Sequence, residues 1–310
     1  LLGKAGGAGA IGGTLSVSSG RYYNSGERST SADINLIVRQ SGDSIPSSVT
    51  NPGVGSFLTD GGGQPFGNLG YFSLDRFTDG SFNSLDLGGK YITSGSSVPY
   101  GGNILFEGPV DLTVPGKLRL AAGGIIQTTD RVKISASYLA VGQDFLQPQN
   151  PNDIVLPFQQ APVTGSSLYQ FAPTYGTGTL SLNADLIDVG TLSLHGIGDT
   201  RFTSKNGDIR GNGTLSAAGD VTLTAARVYP TSLSSFSVFA YDHAGGEGSV
   251  TIRSSGSAVG LPLSAGGSLS IHASHIHQNG VLQAPLGSIT LGWDGRDLDP
   301  SDTDLDSPYN

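Results

Sequence analysis

A five-residue phrase, glycine followed by x-apolar-x-apolar, recurs along this chain and limits it to architectures built from short, similar strands. It reads Gly248-Ser-Val250-Thr-Ile252, Gly267-Ser-Leu269-Ser-Ile271 and Gly287-Ser-Ile289-Thr-Leu291, in nearly equal steps. Gly178-Thr-Leu180-Ser-Leu182 and Gly219-Asp-Val221-Thr-Leu223 stand about twice that step apart, which leaves room for two coils. A fixed period of this size is the mark of a solenoid. Apolar residues alternate with Ser, Thr or Asp in each phrase, so one face of the strand turns inward and the other outward.

Four longer stretches align on their first apolar residue. They are Val132-Lys-Ile134-Ser-Ala136-Ser-Tyr138-Leu139, Leu180-Ser-Leu182-Asn-Ala184-Asp-Leu186-Ile187, Val221-Thr-Leu223-Thr-Ala225-Ala-Arg227-Val228 and Leu269-Ser-Ile271-His-Ala273-Ser-His275-Ile276. Two apolar residues share a face, a small alanine sits where the chain must bend, and the next apolar residue opens a second strand. Equal places in successive coils then stack about 4.8 Å apart, as in a parallel sheet. The expected fold is an all-β parallel β-helix, one domain over residues 1–310, with coils of about 20 residues. No coil buries enough to stand alone, so stability comes from stacking.

Composition narrows the function. Glycine supplies 48 of 310 residues and charged residues only 13%, and short strands separated by Gly, Asn and Ser fit an all-β chain. The net charge of −9 excludes a simple nucleic-acid binder, because no basic stripe exists to neutralise phosphates. Lys4, Lys90, Lys117 and Lys205 stand singly, which gives anionic lipid no cluster to meet. No apolar run reaches the length of a membrane helix, so membrane insertion is not expected. The chain has neither Cys nor Met, a composition that resists oxidation outside a cell. It opens Leu1-Leu2-Gly3-Lys4, without the charged and apolar regions of a signal peptide, and reads as a window from a longer polypeptide.

Three stretches break the period and are expected to leave the stack as loops: 40–66, 143–176 and 229–246. The first carries Pro46, Pro52 and Gly61-Gly62-Gly63 without alternation. The second holds Pro148, Pro151, Pro157, Pro162 and Pro173, which central strands exclude. It also holds Phe145, Phe158, Tyr169, Phe171 and Tyr175, the candidate binding-loop residues. Their rings, set among Gln, Asn and Ser, offer stacking faces with hydrogen-bonding neighbours, suited to a sugar or a polar protein surface.

The coils and two longer phrases resemble the repeat region of filamentous-haemagglutinin-like exoproteins of bacterial two-partner secretion. The phrases are Ala226-Arg227-Val228-Tyr229-Pro230-Thr231-Ser232-Leu233 and Gln278-Asn279-Gly280-Val281-Leu282-Gln283-Ala284-Pro285-Leu286-Gly287-Ser288-Ile289. The resemblance covers most of residues 67–292. It implies a right-handed β-helix, secreted through a dedicated outer-membrane β-barrel transporter and displayed at the bacterial cell surface. There it would mediate adhesion or biofilm formation by meeting a glycan or protein receptor. Asn150-Pro151-Asn152-Asp153 shares the Asn-Pro-Asn motif of the family's transporter-recognition domain, but its place mid-chain in a Pro-rich stretch reads as an Asx/Pro turn.

Parallel β-helices also carry polysaccharide lyases and hydrolases, which need convergent carboxylates or carboxylates beside a basic group. Carboxylates are sparse between 67 and 292: Asp185 and Asp188 flank a corner, while Asp199 and Asp208 read as isolated in turns. No Gly-x-Ser-x-Gly elbow appears. The chain is therefore read as a non-enzyme that needs no cofactor, with a carbohydrate-active enzyme or a phage or fibre spike module as alternatives. Among His272, His275 and His277 the last two would share a strand face, half of a zinc site, but the coil grammar points all three to solvent. Asp302, Asp304 and Asp306 in the acidic tail 293–310 mimic calcium-loop spacing, yet the loop glycine and closing Glu are missing.

Overall fold

The computed structural model describes residues 1–7, 10–19, 22–23, 35–42, 69–88, 90–93, 100–101, 103–127, 130–143, 145, 173–258 and 260–292. The chain is nearly all β, with one five-residue helix, α1 (Asp75–Asp79), among these residues. Twenty strands join in one sheet that does not close into a barrel. A small separate sheet holds Tyr22–Tyr23, Lys90–Thr93 and Tyr100–Gly101.

The main sheet resolves into three ladders of parallel pairs. The first takes the leading halves of Val110–Ala121 and Arg131–Val141, then Thr174–Ala184, the trailing half of Leu192–Ser204, Asp220–Ala225, Ser249–Ser254 and His275–Asn279. The second takes Thr14–Ser18, Ser84–Gly88, the trailing halves of the first two long strands, Leu186–Val189, Asp208–Gly211 and Arg227–Pro230. The third runs Leu69–Ser73, Asn35–Arg39, Asn103–Phe106, Gly124–Ile126, the leading half of Leu192–Ser204, Gly213–Ala218, Ser235–Tyr241, Ser268–Ala273 and Ser288–Leu291. From Val110 onward the chain passes from first to second to third ladder and returns to the first. Among the described residues it has no third-ladder rung between Val141 and Thr174, and no second-ladder rung between Ser254 and Ser268.

Alternation in the sequence becomes columns in the core. Leu112, Ile134, Leu182, Phe202, Leu223 and Ile252 occupy one register position of the first ladder, and all are buried. Leu85, Leu118, Leu139, Ile187, Ile209 and Val228 do the same in the second. Each such side chain contributes about 2 kcal/mol by leaving water. Two of the phrase glycines are steric requirements. A Cβ on Gly287 would sit 1.8 Å from the carbonyl oxygen of Gly267, and Gly219 adopts φ +114°.

The ladders correct several sequence expectations. The phrases at Gly178, Gly219 and Gly248 lie in or lead into the first ladder, whereas those at Gly267 and Gly287 belong to the third. The step from Gly248 to Gly267 is thus a move between ladders, not a return to the same one. Val250 stacks on Val221, well over one period earlier, with Arg227–Pro230 and Ser235–Tyr241 laid down on the second and third ladders in between. Residues 229–246 are accordingly not a loop throughout. Phe236, Val238 and Ala240 follow the coil grammar and are buried, and Pro230 merely ends its strand. Residues 174–176 likewise belong to Thr174–Ala184 rather than to a loop. Residues 255–258 and 260–267, unmarked by Pro-rich sequence, lie outside the ladders instead, with Leu261 and Leu263 91% and 89% exposed.

Candidate functional site

The second ladder carries a polar strip on its outer face. Side chains point outward at every other residue of Tyr138-Leu139-Ala140, Leu186-Ile187-Asp188, Asp208-Ile209-Arg210 and Arg227-Val228-Tyr229, because the middle residue of each is in the core. Register sets Asp188 opposite Arg210 and Asp208 opposite Arg227. Both pairs are bidentate: Arg210 Nε and Nη2 donate to Asp188 at 2.7 Å each, and Arg227 Nε and Nη2 donate to Asp208 at 3.0 and 2.9 Å. Tyr138 donates its hydroxyl to Asp188 at 2.7 Å, and Tyr229 donates to Asp208 at 3.1 Å. The Arg227 guanidinium also lies 5.3 Å from the Tyr229 ring centroid. Further toward the start of the ladder, Arg119 bonds Asp86 at 3.1 Å.

These contacts decide the chemistry of the strip. Asp188 and Asp208 lie diagonally across adjacent strands, so they are the pair of carboxylates a carbohydrate-active enzyme would have to use. Each carboxylate, however, is spent on an arginine fork and a tyrosine hydroxyl. Burial first, and the hydrogen bond to Asp188 second, push the Tyr138 phenol well above its ordinary range. Tyr229 is raised by burial and by the charge of Asp208. Both hydroxyls therefore stay protonated as donors, which suits a clamp and opposes a general base. The hydrogen bond to Asp188 likewise raises Arg210. Arg227 further donates Nη1 to the carbonyl of Gly260, tying the 255–267 excursion to the strip, and Ser264 Oγ donates to Pro230 O at 2.6 Å nearby. The expectation that Asp208 and Asp199 are isolated turn residues is corrected, since Asp199 also lies in a strand and pairs with Arg201 at 2.6 Å.

A second feature gathers aromatic rings. Tyr175, half exposed, stacks on His243 with centroids 3.5 Å apart and planes within 8°. Phe239 stacks on Tyr241 at 5.7 Å and on His272 at 4.6 Å, because Phe239 and His272 share a register position in the third ladder. His272 is thus buried, not solvent-facing as the coil grammar suggests. The cause is again the ladder assignment: His272 follows Ile271 on the third ladder, while His275 and His277 sit on the first. His275 pairs with Glu247, and among the described residues no group of three or more His, Asp or Glu side chains is placed to hold a metal ion.

Of the binding-loop candidates, Tyr175 joins the ring ledge and Phe145 is partly buried apart from any strand. Phe158, Tyr169 and Phe171 lie outside the described residues, as do Asp302, Asp304 and Asp306. The polar strip is absent from the sequence expectations, though its signal is present. Tyr138, Asp208, Arg210, Arg227 and Tyr229 all flank the apolar residue that opens the second strand of a coil.

His195 gives the stack a pH dependence. Burial lowers its pKa to about 4 from an ordinary 6.5, so the folded chain holds it neutral while the unfolded chain takes up a proton. Its contribution is complete above pH 6.5 and is lost as pH falls toward about 4, a total of about 3 kcal/mol. Denaturant midpoints measured across that window should fall less steeply in His195→Gln than in the wild type. Parallel profiles would remove His195 as the cause.

Comparison with family models, curated proteins and solved structures finds no match to this chain.

Proposed function

We propose that the chain is a structural and adhesive segment of a secreted, filamentous bacterial surface protein, its coils wound as a right-handed parallel β-helix. The observation that supports this most is the repeated passage through three parallel ladders, each with a buried apolar core column. The family resemblance in the sequence supplies the rest: export by a two-partner-secretion transporter of the outer membrane, display at the cell surface, and a part in attachment or biofilm. In this reading the stack is a spacer, and the strip on the second ladder is a clamp that keeps its coils in register. Recognition falls to the aromatic ledge around Tyr175 and His243, where the half-exposed Tyr175 ring can stack on the apolar face of a sugar.

Purified chain should bind immobilised neutral polysaccharide or cell-surface glycoprotein. Tyr175→Ala should weaken that binding about tenfold, roughly the 1.4 kcal/mol of a lost stacking contact, with the melting transition unchanged. A folded chain that binds no glycan or cell surface would overturn the adhesive reading. Cleavage of a polysaccharide, abolished by Asp188→Asn, would favour the enzyme alternative.

A further inference from the structure

One corner of the stack sets leucines in water. Ser235, Ser268 and Ser288 share a register position on the third ladder, and the residue two places before each is Leu233, Gly266 or Leu286. All three are left-handed, at φ +53°, +71° and +57°. The turns also bond to one another: Leu233 N–H donates to Ala265 O at 3.0 Å, and Gly266 N–H to Pro285 O at 2.8 Å. Glycine takes this conformation freely, whereas leucine takes it under strain. Among the described residues Ser81 is the only other non-glycine with positive φ. Leu233 is 61% exposed even though the next turn stacks directly on its own. Neither its strain nor its exposure serves the fold, since Gly266 makes the same turn one rung further on.

The excursion between Ser254 and Ser268 adds Leu261 and Leu263 to the same corner, both almost wholly exposed. Its foot is pinned by hydrogen bonds. Ser255 N–H donates to Ala225 O at 2.9 Å, Ser257 Oγ to Lys205 O at 3.2 Å, and Arg227 Nη1 to Gly260 O. Ser264, buried, donates its hydroxyl to Pro230 O at 2.6 Å just past the leucines. Pairing on the second ladder then resumes beyond the excursion. Val228 N–H donates to Val281 O at 2.9 Å, and Gln283 N–H to Val228 O at 3.1 Å. The excursion is thus pushed out of the ladder with its polar foot anchored and its apolar tip in water. No charged residue occurs in 228–241, 254–267 or 278–292, the three stretches that build the corner.

We infer that this corner docks on a zwitterionic lipid surface through Leu233, Leu261 and Leu263. Exposed leucines gathered in one place mark an interaction site, where single scattered ones would not. They project from a turn and an excursion, a shape that a fluid interface closes around and that a rigid partner meets only with a matching groove. The corner offers no charge to specify such a partner, whereas apolar tips enter a lipid interface in proportion to the area they bury. Charge also sets the kind of lipid. The chain carries a net −9, so anionic headgroups repel it and neutral ones do not. The contact is interfacial: no helix among the described residues is long and apolar enough to cross a membrane.

The full chain should co-sediment with vesicles of phosphatidylcholine. Phosphatidylserine added to the vesicles should weaken binding at low salt and have little effect at high salt. Leu261→Ser combined with Leu263→Ser should cut partitioning about a hundredfold, with the melting transition unchanged. Leu233→Gly separates display from folding: it relieves the left-handed strain, so the transition should hold while partitioning falls about tenfold. These vesicles carry no glycan, so the result stands or falls apart from the adhesive reading. A wild type that stays in the supernatant at every lipid composition would overturn the proposal, as would binding that survives the double change. Self-association lost in the double variant, without vesicle binding, would assign the corner to a second copy of the chain and overturn it equally.

Discussion

Leu182→Asp is expected to abolish the cooperative melting transition of the central strands, while Ser181→Asp leaves it in place or raises it. Leu182 is fully buried in the first ladder, between Ile134 on one rung and Phe202 on the next. Removing its side chain would by itself cost about 2–5 kcal/mol, and an unpaired buried carboxylate adds several more. Domain stability is only about 5–15 kcal/mol in total, so the paired strands on both sides should unravel together. Ser181, one residue away, shares its register position with Lys133 and Arg201, both exposed on the outer face. An aspartate there would lie between two cations, a favourable but screened arrangement worth well under about 1 kcal/mol. Circular dichroism melts of the two variants decide the matter. Equal loss of stability would mean that the inward and outward faces are misassigned.

The same two residues show how far the sequence could be read. Strand identity, facing and parallel stacking were legible because period-2 alternation is local and is set by burial. Ladder identity was not, because the phrases of different ladders look alike. Gly219-Asp-Val221-Thr-Leu223 and Gly267-Ser-Leu269-Ser-Ile271 obey one grammar, yet the first stacks on residues 199–203 and the second on 235–240. What separates them is excursion length: 255–267 lets the chain miss one ladder, and nothing in its Ser- and Gly-rich sequence announces this. The coil grammar misplaces His272 for that reason alone. The strip on the second ladder was hidden differently. Its aspartates and arginines come from successive strands of the ladder and meet only once the register is known. Tyr175 was legible as a ring near an excursion, but its partner His243, several coils further along the chain, was not.

Breaking that strip is the second large expected effect. Asp188→Ala should lower stability by about 2–3 kcal/mol. The cost comes less from the lost attraction than from what is left behind. The Arg210 guanidinium, with 29% of its side chain exposed, and the half-buried Tyr138 hydroxyl would both lose their shared acceptor. Arg210 can turn partly to water, which holds the figure at the lower end for a broken buried pair. Tyr138 cannot do so as easily, and Tyr138→Phe alone should cost about 1 kcal/mol. The double change Asp188→Ala with Arg210→Met should then recover most of the single loss, because an apolar side chain of similar length replaces a stranded charge. Denaturant unfolding of the two single variants and the double variant closes the cycle. A non-additive result marks the strip as a coupled clamp between neighbouring strands. Simple addition would reduce it to surface decoration, and the register of the second ladder would then rest on its aliphatic columns alone.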